Sequence, residues 1–466
     1  MHEVAVDARS TESFRTVLSA DDTARTDSAL DRTRRVLADR TIWHVNSTAN
    51  GGGVAELLHG VLPYTRGAGI DARWLVIGAS DGFLEITKRI HHRLHDQTGD
   101  GGPLGEAERT IYEDDLDEDR AELCARVAPG DVVVLHDPQT AGLAPTLRRH
   151  GARVVWRCHV GVDTAGPNAR EAWGFLSDDV CAAERWIFSR AAHVWETLDP
   201  GRVVVMPPCI DVLAPKNRDL SSATSRGVLA ASGITTDADG TTDDDPVVAT
   251  VRHPAAVEGA PVPIDARFVL QVSRWDPLKD HEGVLRGFSE VVRADHTDAH
   301  LVLAGPDADG VADDPEGAMT FERVRALWSE QPSSVRDRVH LVSLPMDDAD
   351  ENAFVVNALQ REAEVVVQKS LAEGFGLTVA EAMWKERAVV ASRVGGIQDQ
   401  IVDGESGLLL DDPSDTDAFA RMLAQLLEQP GVGDRLGSAA RRRVSDHFLP
   451  LHHFEREADL LECLLA

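Results

Sequence analysis

The sequence is poor in cysteine and has no long apolar run. It has five cysteines, an odd number, with no CxxC pair among them, and this excludes a disulfide framework. No apolar run approaches the ~18 residues that a membrane-spanning helix needs, and the first residues lack the basic and apolar blocks of a signal peptide. We therefore expect a cytoplasmic protein whose thiols are free.

Lysine is also scarce. Only five of the 47 basic residues are lysines, against 78 acidic residues, and the formal net charge is −31. Such a charge repels nucleic acids and anionic membranes, so neither is expected as a partner. The same balance suggests the hypothesis of salt adaptation. A site for an anionic nucleotide would have to create its own local positive potential.

The chain is long enough for two domains. Its 466 residues, 43% of them hydrophobic, suffice for two cores of roughly 200 residues each. An apolar strand over 41–45 leads into a glycine turn and a helix over 54–66, and further strands alternate with helical stretches up to 203–208. A second such series runs from 268–273 to 415–428. The pattern predicts an α/β protein with two Rossmann-like domains facing a central cleft.

Composition shifts indicate the boundaries. Residues 1–40 are polar, which predicts a mobile or loosely helical extension. Residues 41–215 form the predicted N-terminal domain, and 216–265 read as a linker with an acidic loop. Residues 266–445 form the C-terminal domain, and we expect the helix of 446–466 to pack back on the N-terminal domain.

The stretch KSLAEGFGLTVAEAMW, residues 369–384, is the most informative. Glu373 follows a buried strand, a glycine turn comes next, and Glu381 lies inside the helix that begins near Thr378. A glycine turn at a helix N-terminus presents backbone N–H groups and the positive end of the helix dipole to a diphosphate. The two carboxylates could hold a sugar and a ribose. The alternative is that two glutamates occur at this spacing by chance. The glycine turn between them favours a ligand site.

Other groups follow predicted strands. Arg274 and Lys279 could each neutralise a diphosphate oxygen, although surface charges of this kind are common. Gly51-Gly52-Gly53 allows close approach of a ligand to the backbone at a helix start. The D-x-D runs at 237–239 and 307–309 are attributed to chance in an aspartate-rich chain. The pair His91 and His95, which has no third ligand nearby, is attributed to a solvated helix face, so no metal is predicted.

Several motifs together resemble known enzymes. Residues 373–381, with VGGI at 394–397 and DGESGL at 403–408, resemble the donor-site signature of retaining GT-B glycosyltransferases. The runs at 44–63, 72–77, 136–139, 156–160 and 206–217 are similar to the glycosyltransferring trehalose synthases. These blocks cover most of residues 41–445 in the same order. The resemblance implies transfer of glucose from ADP- or UDP-glucose to glucose, with retention, giving α,α-trehalose and a nucleoside diphosphate in a reaction whose reversibility is left open.

The resemblance also implies site residues. The catalytic groups would be His159, Glu373, Arg274 and Lys279. Donor contacts would come from Gly51, Gly52, Gly53, Arg274, Lys279, Glu373, Gly374, Phe375, Gly376, Leu377, Thr378 and Glu381, and acceptor contacts from Asn46, His136, Asp137, Gln139 and Asp163. Asp280 replaces a glycine expected from the family, which puts the conformation of its loop in doubt.

The resemblance also leads to expectations about cofactors and partners. No cofactor is expected to be required, and Mg²⁺ would act at most through the nucleotide. The substrates would be small molecules, and a homodimer is left open. Two alternatives remain: a retaining trehalose phosphorylase, which uses phosphate in place of the nucleoside diphosphate, and a noncatalytic sugar-nucleotide-binding protein.

Overall fold

The computed structural model describes residues 1–50, 52–236, 245–307 and 315–466. Within these residues the chain forms two compact units. The first consists of Met1–Asp211, Glu373–Phe375 and Phe448–Ala466, and the second of Val212–Ala372 and Gly376–His447. None of the helices in the described part of the chain has the length and apolarity needed to cross a membrane.

The first unit is built on a seven-stranded sheet with the order β1-β3-β2-β4-β5-β6-β7. β1 is antiparallel to β3, and the other neighbours are parallel. The inner strands are continuous apolar runs because helices cover both faces of a parallel sheet. The strands are β1 (His2–Val4), β2 (Ile42–Asn46), β3 (Ala72–Val76), β4 (Val132–His136), β5 (Arg153–Cys158), β6 (Arg185–Phe188) and β7 (Val203–Val205).

Nine helices of this unit surround the sheet in the residues described. They are α1 (Ala20–Leu37), α2 (Gly53–Gly67), α3 (Asp81–Leu94), α4 (Glu106–Asp115), α5 (Asp117–Arg126), α6 (Asp137–Ala141), α7 (Ala144–His150), α8 (Pro167–Cys181) and, from the end of the chain, α18 (Pro450–Leu465).

Residues 1–40, predicted as a mobile or loosely helical extension, contain a paired strand and a packed helix. β1 pairs with β3, and α1 is an 18-residue helix capped by Ser19, whose hydroxyl accepts from Asp22 N at 3.1 Å. α1 packs against α18, and Arg32 forms ion pairs with Asp459 and Glu462. The prediction failed because the apolar face of α1 includes Thr23, Thr26 and Thr33, which composition counts as polar although all three are buried.

The second unit repeats the architecture with the strand order β14-β13-β12-β9-β10-β11-β8. β8 is antiparallel to β11, and the other pairs are parallel. The strands are β8 (Ala256–Glu258), β9 (Phe268–Val272), β10 (His300–Pro306), β11 (Val339–Leu344), β12 (Val365–Gln368), β13 (Ala388–Ser392) and β14 (Leu408–Leu410). The two parallel-dominated sheets confirm the predicted α/β class.

The helices of the second unit include part of the predicted linker. They are α9 (Ser222–Ala231), α10 (His281–Arg293), α11 (Pro315–Ser329), α12 (Ser333–Arg336), α13 (Ala349–Glu362), α14 (Leu377–Trp384), α15 (Ile397–Gln400), α16 (Thr416–Glu428) and α17 (Pro430–His447). α9 packs on α13, and β8 joins the sheet. Residues 222–231 and 256–258 are therefore parts of the second unit and do not act as a linker.

Each sheet has a topological switch point, where consecutive crossovers leave in opposite directions. In the first unit it lies between β2 and β4, and in the second between β9 and β12. Ligands of open α/β sheets bind beyond the carboxyl ends of the strands at such a point. Ligand contacts are therefore expected from the side chains that follow β2, β4, β9 and β12.

Candidate active site

The turn between β12 and α14 is shaped for an anion. Gly376, the N-cap of α14, has a φ of 83°, which lies in the left-handed region that glycine adopts without strain. A glycine cap offers no side-chain acceptor to the N–H groups of the first turn, so these groups and the helix dipole can serve a phosphate. Gln400 Nε2 donates to the Gly376 carbonyl at 3.3 Å and supports the turn.

The loop after β9 carries Arg274 and Lys279. Arg274 is 61% exposed, and the nearest carboxylate oxygen, on Asp276, is 3.8 Å from its guanidinium. Gln271 Nε2 donates to the Lys279 carbonyl at 2.9 Å, which anchors the backbone of the lysine to β9. Both cations thus follow the strand at the switch point, as the sequence predicts.

Asp280 settles the conformation of this loop. Its φ of 50° and ψ of 47° are left-handed, the conformation that a glycine would favour at this position. The carboxylate accepts from Gly283 N at 3.0 Å and caps α10, and it pairs with the ammonium of Lys369, which is 1% exposed. The aspartate therefore keeps a glycine-like backbone and ties the loop after β9 to the end of β12.

Glu381 is fully buried on α14. Lys216 Nζ lies 3.4 Å from its Oε1, and Gln360 Nε2 lies 3.5 Å from its Oε2. Lys385, on the next turn, donates to Gln360 Oε1 at 2.6 Å and to Asn217 Oδ1 at 3.0 Å. The ribose contact predicted for Glu381 stays a prediction, and in this structure its carboxylate belongs to a buried polar network.

The segment Glu373–Phe375 belongs to the first unit, where it lies against His159. A Cβ built on Gly374 would come 2.5 Å from the carbonyl oxygen of His159. Only a residue without a side chain permits this approach. The partly buried carboxylate of Glu373 is thereby held in the same region of the first unit as the residue that follows β5.

Three histidines meet at the switch point of the first unit. His44 is on β2, His136 ends β4, and His159 follows β5. His44 Nδ1 is 3.2 Å from His136 Nε2, and His136 Nδ1 is 3.1 Å from His159 Nε2. His136 is 1% exposed and both its nitrogens face other imidazoles, and its contact with the acceptor stays a prediction. Its observed contacts are with the two other histidines.

Asp137 also faces inward. It has a φ of 63°, and its Oδ1 accepts from His159 N at 2.7 Å. Burial raises the pKa of its carboxyl group to about 7. Asp137 therefore fixes the backbone of His159, and its predicted contact with the acceptor remains a prediction.

Two of the three remaining predicted acceptor residues have structural partners. Asn46 is 3% exposed; its Oδ1 accepts from Trp74 Nε1 at 2.7 Å and its Nδ2 donates to Thr48 O at 2.7 Å. Asp163 forms an ion pair with Arg190 at 2.9 Å, and its carboxylate lies 3.3 Å from His193 Nε2. Gln139 is partly buried on α6.

The other predicted residues are placed as follows. Gly52, with a φ of 134°, is the N-cap of α2, which begins at Gly53. Gly51, the run 237–239 and Asp309 lie outside the described residues. The rings of His91 and His95 are 5.1 Å apart. Within the described ranges no group of three His, Cys, Asp or Glu residues could hold a metal ion.

Sequence reasoning missed His44 and Lys369. His44 lies inside an apolar strand, and the signal that could have found it is one histidine in or after each of β2, β4 and β5, three adjacent strands that flank the switch point. Lys369 gave no such signal, because a lysine directly after a strand is ordinarily exposed.

Comparison with known proteins identifies the two parts of the chain. Residues 44–195 match the family model of the trehalose synthase N-terminal domain, and residues 266–429 match that of glycosyl transferases group 1. The chain is 36% identical to the trehalose synthase of Thermococcus litoralis over 91% of each chain. It is 28% identical to the trehalose phosphorylase of Pleurotus pulmonarius over 87% of this chain and 54% of the other.

A solved structure shares the fold. The UDP-forming α,α-trehalose-phosphate synthase of Burkholderia vietnamiensis superposes with a TM-score of 0.65 at 16% identity, covering 90% of this chain and 98% of the other. Two Rossmann-like units, one matching the group 1 transferases, define a GT-B glycosyltransferase. The N-terminal model match and the near full-length identity then specify the family: the chain belongs to the trehalose synthases. It is an enzyme of trehalose-related glycosyl transfer.

Proposed function

We propose that the protein transfers glucose from NDP-glucose to the anomeric hydroxyl of free glucose, with retention, to give α,α-trehalose and the nucleoside diphosphate. The observation that carries this proposal is the group beyond β9 and β12. Arg274, Lys279 and the glycine-capped start of α14 follow adjacent strands at the switch point of the second unit. The proposal thus relies on two cations and a helix N-terminus at the edge of the sheet where a diphosphate would lie, on a chain with a net charge of −31.

The chemistry requires one bond to break and one to form. The bond from C1 of glucose to the diphosphate oxygen breaks, and the charge left on the diphosphate is stabilised by the two cations and by the N–H groups of α14. A bond forms between C1 and the acceptor oxygen. The acceptor proton passes to the departing phosphate oxygen. Because the groups that stabilise the diphosphate belong to the second unit, this unit binds the donor in the proposal.

Retention is assigned to front-face substitution. The carboxyl group of Asp137 is a poor covalent nucleophile because its Oδ1 already accepts a hydrogen bond from the backbone N–H of His159. Its pKa of about 7, raised by burial, also leaves much of it protonated at neutral pH. In this proposal His159 orients the transferred sugar, and the first unit provides the acceptor half.

A trehalose phosphorylase is the second candidate, favoured by the 28% identity to the Pleurotus pulmonarius enzyme. It would use the same cations, with inorganic phosphate in place of the nucleoside diphosphate. The chain spans about half the length of that relative.

The test is a donor screen. Purified protein is incubated with glucose and ADP-, UDP- or GDP-glucose, with and without EDTA, and the product is identified by chromatography and by the anomeric coupling constants in its proton NMR spectrum. We expect α,α-trehalose from at least one donor, including the EDTA arm. In the reverse direction, trehalose is offered with ADP, UDP or phosphate. Glucose 1-phosphate from the phosphate arm alone would replace the proposal by the phosphorylase.

A further inference from the structure

The three histidines of the first unit form one continuous hydrogen-bonded chain. Its two N···N distances, 3.2 and 3.1 Å, both lie within hydrogen-bond range, and the rings of His136 and His159 are stacked with an interplanar angle of 15°. In each pair one nitrogen must donate and the other accept. The nitrogen that carries the proton in one ring therefore determines which nitrogen carries it in the next ring.

The two ends of the chain differ in environment. His159 is partly exposed, whereas His44 is 4% exposed and lines a small internal cavity with Arg157 and Glu457. The cavity has room for about one water molecule. Arg157 is 3% exposed, donates from Nη2 to Met206 O at 3.3 Å, and has no hydrogen-bond partner for its Nε.

We expect all three imidazoles to be neutral at neutral pH. Burial, with the nearby Arg157 cation, lowers the pKa of His44 to about 3 and holds those of His136 and His159 well below 6.5. Each neutral ring has one donor and one acceptor nitrogen. Only two arrangements of the chain are then allowed, with every proton on Nδ1 or every proton on Nε2.

The buried cation selects between the two arrangements. Arg157 is a donor only, and Glu457, whose pKa burial raises to about 7, can donate in its protonated form, so both favour a lone pair on the His44 nitrogen that faces the cavity. Since His44 Nδ1 is used toward His136, the nitrogen left for the cavity is Nε2. A lone pair on His44 Nε2 places the His44 proton on Nδ1.

We propose that His44 and His136 are positioning residues which, under the influence of Arg157, hold His159 as its Nδ1–H tautomer. His44 Nδ1–H donates to His136 Nε2, and His136 Nδ1–H donates to His159 Nε2. His159 then offers Nδ1–H as a hydrogen-bond donor. An isolated neutral imidazole in water prefers the other tautomer, so the arrangement has a recognisable signature.

The consequence for catalysis rests on the proposed function. A donor at His159 Nδ1 suits a hydroxyl oxygen of the transferred glucose, and a fixed donor is worth more than one that must first change tautomer. Outer-shell partners that orient metal-bound imidazoles contribute roughly 10- to 100-fold to affinity or activity, and we take the same range for an imidazole that orients a sugar. We therefore expect the chain to affect kcat more than the KM of the donor.

The experiment reads the tautomers directly. Ligand-free protein labelled with ¹⁵N in the histidine rings is examined by two-bond ¹H–¹⁵N correlation NMR, with His44→Leu, His136→Leu and His159→Gln used to assign the signals. We expect Nδ1–H for all three rings in the wild type and a mixture at His159 in the His44→Leu variant. A wild-type His159 in the Nε2–H form would overturn the proposal.

Kinetics of matched variants separate positioning from packing. Asparagine places an amide at the site of Nδ1, so His44→Asn should keep kcat within about threefold of the wild type, whereas His44→Leu should lose about tenfold. Equal losses in both variants would contradict a positioning role. His340→Asn is the control: the buried His340 has its Nε2 2.8 Å from Nδ1 of the partly buried His300 in a stacked pair of the second unit, and no change is expected.

The two proposals fail separately. The tautomer signature without trehalose formation from any donor would leave the histidine chain standing and reject the proposed function. Trehalose formation by a protein whose His159 carries its proton on Nε2 would support the proposed function and reject the proposal for the histidine chain.

Discussion

At the scale of single residues, the donor half of the site depends on a few cations in a chain dominated by acids. Arg274 and Lys279 follow β9, and Lys369 follows β12. Lys369 is buried against Asp280, whereas Arg274 is exposed. The first has a structural role and the second is available to a ligand, although both lie at carboxyl ends of strands. Burial, rather than residue type, distinguishes them.

Replacement of Lys279 by alanine tests the leaving-group role. Loss of one charge that stabilises the departing diphosphate should lower kcat by about 10²- to 10³-fold, as for other preorganised electrostatic groups. Steady-state kinetics with the best donor and a thermal melt are the measurements. Arg286→Ala, on the exposed face of α10, is the control and should leave both unchanged. Near wild-type turnover in Lys279→Ala would remove the residue from the site.

Asp280 should be needed for stability as well as for the loop. Asp280→Ala removes the cap of α10 and leaves the Lys369 ammonium buried without its counterion, so we expect the free energy of unfolding to fall by about 3 kcal/mol. Urea denaturation followed by circular dichroism measures the change.

The second substitution of this test is Lys369→Met. In the Asp280→Ala background it should restore at least about half of the loss, because no unpaired charge remains. An unchanged or larger loss in the double variant would show that the ion pair is not the reason for the effect.

At the scale of elements, the segment between β12 and α14 contributes to both units. Glu373–Phe375 lies in the first and Gly376 begins the turn into α14 in the second. Two glycines in this turn, Gly374 and Gly376, have different structural roles. Gly374 permits the approach to the carbonyl of His159, and Gly376 supplies the left-handed cap. A substitution at either should change activity through a different physical cause.

Gly374→Ala tests the close approach. A Cβ at 2.5 Å from the His159 carbonyl oxygen must displace the segment, and a displacement of about 1 Å in an active site can cost about 10²-fold in rate. We expect kcat to fall by about that factor with a small change in melting temperature. Gly174→Ala in α8, where no atom lies within 4 Å of the added Cβ, is the matched control. A fully active Gly374→Ala enzyme would show that the segment tolerates the shift.

At the scale of the whole molecule, buried histidines set the response to pH. Burial lowers the pKa of His44, His136, His159, His281, His340 and His453. Their folded pKa values lie below the unfolded value of about 6.5, so their contribution to stability is present above that pH and is lost as the pH falls through it. Asp137 and Glu457, whose pKa values burial raises to about 7, act in the opposite direction but are fewer.

We therefore expect the free energy of unfolding to decrease as the pH is lowered from about 7 to about 5. Urea denaturation at several pH values and constant ionic strength is the measurement. A protein that becomes more stable over this range would show that the raised carboxyl groups outweigh the histidines.

The net charge of −31 should make stability depend on salt. Raising KCl from about 0.1 M to about 1 M shortens the Debye length from ~10 Å to ~3 Å and screens the repulsion among surface carboxylates. The melting temperature should rise and activity should persist. A steady loss of activity as KCl increases would argue against salt adaptation.

Much of the donor half could be predicted from local sequence. Arg274, Lys279 and the turn before α14 lie within a few residues of strands that apolar runs identify, and chain direction alone places strand ends at one edge of a parallel sheet. The alternation of strands and helices likewise determined the two-domain α/β class. These features depend on periodicity and on short-range geometry.

Other features were decided only by tertiary structure. The burial of Glu381, the pairing of Lys369 with Asp280 and the role of residues 1–40 depend on which surfaces pack together. His44 and His159 are 115 positions apart, and only the order of strands in the sheet makes His136 their common neighbour. The sequence by itself determined the elements and the chemistry at their ends, because both are local. Partners, burial and proton positions were decided by the fold, because they depend on contacts between distant parts of the chain.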